Sequence, residues 1–157
     1  MSFTLPSLKG RALRLLSGRE YSRAELERKL KTHEETPGEL VRALDELQVK
    51  GFISEQRVVE SVINRRSAKL GTARIRQELQ GKGLDPQAVT DAVASLKATE
   101  LARAREVWRK KFGAKSDGVV ADAAERGKQM RFLAARGFGG DVIRRVVSGA
   151  ADDARDE

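Results

Sequence analysis

Arg105 and Arg109 stand one helical turn apart, and Lys110 and Lys111 follow at once. Like charges at this spacing destabilise an isolated helix by about 0.2–0.5 kcal/mol, a cost that a bound anion reverses. Two further clusters have the same character: Arg65, Arg66 and Lys69, and Arg144 with Arg145. These nine side chains are the candidate partner-binding residues, and the chemistry they offer is the holding of anions. The net charge is +8. Residues 54–115 carry 14 basic against 7 acidic side chains, whereas residues 1–53 carry 10 against 8. An excess so placed suits nucleic acid or an acidic protein groove, and it equally suits a solvated basic face.

Catalytic chemistry finds few groups to use. The chain has no cysteine, so it has no disulfide, thiolate metal site or thiol nucleophile. Its one histidine, His33, lies in the polar stretch Lys31-Thr32-His33-Glu34-Glu35 without a ligand-spaced companion and reads as a surface residue. Adjacent carboxylates such as Glu34 and Glu35, or Asp45 and Glu46, point to different faces of a helix and read as solvated charge. No carboxylate cluster has metal spacing, and no glycine-rich phosphate loop with a following Lys-Ser or Lys-Thr occurs. The expectation is a protein that is not an enzyme and carries no catalytic, cofactor-binding or metal site. No apolar run approaches a membrane span and no secretory leader is recognisable, so a cytoplasmic protein with no membrane contact is expected.

The elements that must position the cations repeat along the chain. Leu79, Gly83, Leu84 and Val89 recur 54 positions later as Leu133, Gly137, Phe138 and Ile143. A weaker copy, 49 positions earlier, matches Leu30, Leu40, Leu44 and Leu47 to Leu79, Val89, Val93 and Leu96. Periods near 50 residues describe stacked helical units, each too small to bury its own apolar face. The fold expected is all-α, three tandem three-helix repeats forming an elongated, curved array. The repeats span residues 1–53, 54–98 and 99–148, and an acidic, disordered tail follows at 149–157. Aromatics make up only 4% of the chain, so the cores fall to Leu, Val, Ile and Ala, with Trp108, Phe112, Phe132 and Phe138 as large fillers.

Local signals mark the helices. A first helix covers Leu8 to Ser17 and stops at Gly18. Ser22 with Glu25 forms a capping box for a second, and Thr36 with Pro37 starts a third. Ser54 caps a helix bearing Val58, Val59, Val62 and Ile63; Thr72 to Gly81 is the next, in which Arg74 pairs with Glu78; and Asp85-Pro86 begins another. From Thr99, Leu101, Ala104, Trp108 and Phe112 share a face; a break at Gly113 to Gly118 precedes helices over Val119 to Arg136 and Asp141 to Val147. Lys50-Gly51-Phe52, Lys82-Gly83-Leu84 and Arg136-Gly137-Phe138 each combine a cation, a glycine and a hydrophobe, the chemistry of a helix C-terminus. Helix-turn-helix reading of DNA finds little support, because the last helices of the second and third units open with Pro86-Gln87-Ala88 and Gly140-Asp141-Val142 rather than base-reading side chains.

The stretches Ala12-Leu13-Arg14-Leu15-Leu16, Arg19 to Leu26 with Lys29-Leu30, Arg74 to Leu79 with Lys82-Gly83, Val107 to Gly113, Arg131-Phe132-Leu133, Arg136-Gly137-Phe138 and Val142 to Val147 stand in a specific order and spacing. In these stretches the chain resembles the RecX family, regulators of the RecA recombinase. The resemblance covers nearly the whole chain. It implies three tandem three-helix repeats and binding in the groove of the RecA–DNA filament. It also implies inhibition of ATP hydrolysis, strand exchange and co-protease activity, and limited filament growth in recombination, DNA repair and the SOS response. The partner so implied is the RecA filament on DNA; a direct contact with DNA and a monomeric protein are further expectations, which do not come from the resemblance. The alternative is a general DNA-binding helical protein. One departure stands out: the first copy has Glu34-Glu35-Thr36-Pro37 where the others have glycine.

Overall fold

Each repeat gathers its Leu, Val and Ile residues into a core of its own. The computed structural model describes residues 5–115 and 121–153. Its α-helices are α1 (Leu8–Gly18), α2 (Arg23–Leu30), α3 (Glu39–Val49), α4 (Glu55–Arg66), α5 (Thr72–Gly81), α6 (Pro86–Phe112), α7 (Ala123–Ala135) and α8 (Gly140–Asp153). No strand occurs among the described residues. The first core joins Leu26, Leu30, Leu40, Leu44 and Leu47 with Ala12 and Ile53. The second joins Val58, Val62, Ile75, Leu79, Val89, Val93 and Leu96. The third joins Ala104, Val107, Leu133, Phe138, Ile143 and Val146. Three tandem three-helix units are thus in place, as the spacing requires.

Several helix ends form where the sequence puts them. Ser22 accepts from the Glu25 N–H while the Glu25 carboxylate accepts from the Ser22 N–H, the complete capping box. Ser54 accepts from the Arg57 N–H, and Asp85 accepts from the Gln87 N–H ahead of Pro86. Gly51, Gly83 and Gly137 have φ of 84°, 66° and 91°, the left-handed conformation that ends a helix and that glycine adopts without strain. Leu84 and Phe138 then pack inward, but Phe52 remains 47% exposed.

Four expectations are corrected. The third helix of the first repeat starts at Glu39, not at Thr36-Pro37; Gly38, with φ 85°, precedes it, and the Glu34 carboxylate accepts from the Leu40 N–H at 2.8 Å. The seventh helix starts at Ala123 because Asp122 caps it by accepting from the Glu125 N–H. Residues 116–120 of the expected break and helix start lie outside the described residues. The last helix continues to Asp153 instead of giving way to a tail at residue 149, since Ala150 and Ala151 favour extension of a helix already formed. Residues 154–157 lie outside the described residues.

The fourth correction concerns the second and third repeats, which share one 27-residue helix. In α6 the join Lys97-Ala98-Thr99-Glu100 contains neither glycine nor proline, and buried positions run through it at helical spacing: Val89, Ala92, Val93, Leu96, Glu100, Ala104, Val107. Eight α-helices are thus present among the described residues, with α6 serving as the last helix of the second repeat and the first of the third.

Repeats meet end to end through helix termini. The C-terminal turn of α5 meets the N-terminus of α2: the Ser22 hydroxyl donates to the Lys82 carbonyl at 2.6 Å, and Arg28 donates to the Gly81 carbonyl at 3.1 Å. Lys82 Nζ also lies 3.3 Å from the Glu25 carboxylate. At the second junction the C-terminal turn of α7 meets the N-terminus of α5. Gly71 N–H donates to the Arg136 carbonyl at 2.7 Å, Ala73 N–H to the Gly137 carbonyl at 3.2 Å, and Arg74 to the Ala135 carbonyl at 2.8 Å. Ser22 and Gly71 are equivalent under the 49-residue shift, and Lys82 and Arg136 under the 54-residue shift. At the second junction carbonyls at the end of α7 thereby satisfy backbone amides at the start of α5, and at the first the carbonyls at the end of α5 accept from side chains of α2 and its cap.

This contact explains the glycines and the departure in the first copy. A Cβ on Gly83 would lie 2.7 Å from the Ala24 Cβ, and one on Gly137 only 2.3 Å from the Arg74 Cγ. The Glu34-Glu35-Thr36-Pro37 turn takes part in no such junction among the described residues, so it is free of that constraint.

Candidate partner-binding site

Beside the second junction runs an open groove of 410 Å³ lined by Ala68, Lys69, Val107, Lys110, Lys111, Phe132 and Arg136. Lys69 comes from the turn after α4, Lys110 and Lys111 from the last turn of α6, and Phe132 and Arg136 from the end of α7. Helix α6 carries its two lysines here because it runs unbroken into the third repeat. The Gly71–Arg136 bond holds the α7 end against the second repeat. No carboxylate lines the groove.

Phe132 forms its aromatic wall. Its ring meets Phe112 edge-on at 5.3 Å between centroids, and Phe112 in turn lies 6.5 Å from Trp108. The Trp108 indole N–H donates to the Gln129 side chain at 2.9 Å, which satisfies both partly buried polar groups and fixes Trp108 as core. Lys111 Nζ lies 5.7 Å and Arg136 Cζ 4.7 Å from the Phe132 centroid. These cation–π contacts orient the two cations without neutralising them. Lys69 and Lys110 have no hydrogen-bonded or ion-paired side-chain partner among the described residues. Four cations thus surround one aromatic ring, Lys110 within the field of the Glu106 carboxylate, and such an arrangement has the chemistry to hold a carboxylate or phosphate group.

The nine sequence candidates divide by their surroundings. Lys69, Lys110 and Lys111 come together in the groove. Arg105 is exposed on α6, and Arg109 is bound through two hydrogen bonds of 2.7 and 3.1 Å to Glu106, which raises its pKa. Arg65 and Arg66 lie 3.9 and 3.3 Å from the Glu78 carboxylate. Glu78 therefore pairs across to α4 rather than with Arg74, whose guanidinium is spent on the Ala135 carbonyl. Arg144 pairs with Asp141, and Arg145 is exposed on α8.

Composition and spacing passed over Arg136 and the wall role of Phe132, reading one as a helix-end cation and the other as filler. They also passed over the buried polar pair on α6 that braces the junction. Glu100, 8% exposed, accepts from the N–H groups of Thr72 and Gly139 at 3.4 Å, one at the start of α5 and one ahead of α8. Arg103 donates to the carbonyls of Ser67, Leu70 and Leu96 and to the hydroxyls of Thr72 and Thr99, at 2.7–3.2 Å. Burial lowers the Arg103 pKa, and the Glu100 charge partly restores it. The sequence carries no distinctive signal for this brace, because Glu106 and Arg109 stand at the same i to i+3 spacing as Glu100 and Arg103 and are exposed.

No group of three or more His, Cys, Asp or Glu residues suited to a metal ion exists among the described residues. None of their helices is long and apolar enough to cross a membrane. What remains is a class: an all-helical tandem-repeat protein with clusters of cations on its surface.

Comparison with known proteins narrows the class. Models of the first, second and third three-helix domains of RecX match residues 9–47, 54–93 and 98–147. The regulatory protein RecX of Leptothrix cholodnii is 53% identical over 141 residues, covering 90% of this chain and 87% of that protein. The regulatory protein RecX of Ralstonia nicotianae is 47% identical over 144 residues, covering 92% and 88%. The crystal structure of RecX from Lactobacillus salivarius superposes with a TM-score of 0.76 at 20% identity, covering 92% of this chain and 94% of that one, a likeness of fold. The chain belongs to the RecX family of regulatory proteins.

Proposed function

We propose that this protein regulates the RecA recombinase by lying in the groove of the RecA–DNA filament. There it inhibits ATP hydrolysis, strand exchange and co-protease activity and limits filament growth. It acts in the cytoplasm as a monomer and performs no catalysis of its own.

The observation that carries this reading is the pair of equivalent junctions, Ser22 to Lys82 and Gly71 to Arg136, which hold three repeats in register. A chain so braced bridges adjacent protomers as one piece. The cations of the second-junction groove, Lys69, Lys110, Lys111 and Arg136, then engage an acidic protein surface or DNA phosphate, and bridged protomers lose the freedom that cycling requires.

The test is RecA ATP hydrolysis on single-stranded DNA with increasing amounts of this protein. The expected result is a saturable fall in turnover; unchanged turnover at full occupancy would refute the reading. Direct action on nucleic acid alone is distinguished by salt. Phosphate binding to bare DNA weakens steeply between about 50 and 200 mM salt. Retained filament binding across that range favours the protein groove as the main contact.

A further inference from the structure

In the first repeat, helices α1 and α2 bring together four basic or imidazole side chains that lie 22 positions apart at the extremes. Arg11 and Arg14, one turn apart on α1, face Lys29 at the end of α2 and His33 in the single 3-10 turn that follows it. With Pro6, Gly10, Leu15 and Leu30 they line an open groove of 380 Å³. No carboxylate is among the lining residues.

The charge of this repeat, only +2 over residues 1–53, conceals the groove, because five of its eight acids are ion-paired elsewhere and Glu34 and Glu39 accept from backbone amides, which leaves Glu35 as the one acid without a partner among the described residues. Glu20 pairs with Arg57, Glu25 with Arg19 and Lys82, and Glu27 and Asp45 with Arg23. Glu46 pairs with Lys9 and Lys50. Glu34, adjacent to His33, turns its carboxylate to the Leu40 N–H. The side chains of Arg11, Arg14 and His33 have no hydrogen bond or ion pair with any described residue, and Lys29 has only the Tyr21 ring, 5.9 Å from its Nζ. Holding several cations together without an anion raises the energy of the free protein, and a phosphate removes that penalty while accepting hydrogen bonds from the guanidinium forks. Leu15, Leu30 and Pro6 supply an apolar floor on which a base or sugar can rest.

We propose that the groove between α1 and α2 is a phosphate-ester binding site, separate from the groove at the second junction. Arg11, Arg14 and Lys29 hold the phosphate oxygens and His33 donates a further hydrogen bond at the rim. The ligand is the phosphate of a single strand of nucleic acid or of a free nucleotide. The site is independent of RecA, so its test contains none.

The intact protein is titrated into a fluorescent oligothymidylate over a range of salt, and separately with ATP. The comparison is with R11Q/R14Q/K29Q and with the charge-keeping R11K/R14K, both checked for an unchanged thermal melt. If a strand occupies the site, the Gln variant has a slope of log affinity against log salt shallower by about 2, from about 0.7 per lost contact, while the Lys variant keeps the slope. If a nucleotide occupies it, ATP binding is lost in the Gln variant and the oligonucleotide slope is unchanged. Binding of both ligands unaltered in the Gln variant would overturn the proposal.

Discussion

The amide of Gly71 donates to the carbonyl of Arg136 at 2.7 Å, across 65 positions of chain. A Cβ on Gly71 would stand 2.3 Å from the Gly137 carbonyl carbon, although its φ of −78° suits any residue. The requirement for glycine is therefore contact rather than conformation. Gly71→Ala is expected to destabilise the protein by about 1–3 kcal/mol, the range of overpacking in a tight contact. Gly81→Ala, with open space at its Cβ, is expected to be neutral or stabilising by up to about 1 kcal/mol. Urea midpoints of the two variants check this, and equal midpoints would deny the contact its role.

Glu100 ties the same junction from within α6. Glu100→Ala leaves the Thr72 and Gly139 amides without their acceptor and is expected to cost about 1–3 kcal/mol. Glu100→Gln keeps an acceptor oxygen and should fall between the variant and the parent. Hydrogen exchange at Gly139 is the direct readout: it accelerates in the Ala variant, and unchanged protection would show that the bond contributes nothing.

Arg103 is the complementary case of a cation with several acceptors. Its planar fork reaches five oxygens, which an ammonium cannot do from the same backbone position. Arg103→Lys is expected to lower stability by about 1.5–3 kcal/mol, measured by thermal unfolding with calorimetry.

Acid sensitivity follows from Glu25 at the first junction. Desolvation pushes its pKa up, but the Ser22 N–H, Arg19 and Lys82 outweigh that and bring it from the ordinary 4.5 to about 2. A depressed carboxyl pKa stabilises the fold fully above about 4.5, and that contribution disappears as pH falls towards 2. Stability profiles between pH 5 and 2 should flatten in Glu25→Gln relative to the parent. Glu46, held near 2 by Lys9 and Lys50 in full solvent, should matter less because exposed pairs are screened.

Much of the fold was legible because its signals are local. The Ser22–Glu25 box, Asp85-Pro86 and the left-handed glycines at 51, 83 and 137 each act within a few residues, and each lies where the spacing requires. The repeat junctions were not legible. Ser22 to Lys82 and Gly71 to Arg136 join residues some 60 positions apart, and Gly71 lies in an ordinary region of backbone space that gives no turn signal. The continuity of α6 was hidden for the opposite reason: the repeat pattern implied a boundary where the local sequence has nothing to break a helix. Among the candidate cations, clustering in sequence shows that Lys110 and Lys111 are neighbours, but whether a charge is free depends on acids from other helices. Glu78 reaches Arg65 and Arg66 across the α4–α5 contact, and the mirror case, the unneutralised Arg11, Arg14 and Lys29, lay concealed within a nearly balanced segment.

The central claim is that cations at the second junction grip the RecA–DNA filament. Its most direct measurement is binding of Lys69→Glu/Lys110→Glu/Lys111→Glu to RecA filaments on single-stranded DNA, by cosedimentation alongside ATPase inhibition. All three side chains are exposed and none is paired with an acid, so the variant should melt as the parent does. The account predicts that it needs about tenfold more protein, or beyond, for half-saturation, because reversed charges meet an anionic partner. A folded triple variant that binds and inhibits as the parent does would contradict it.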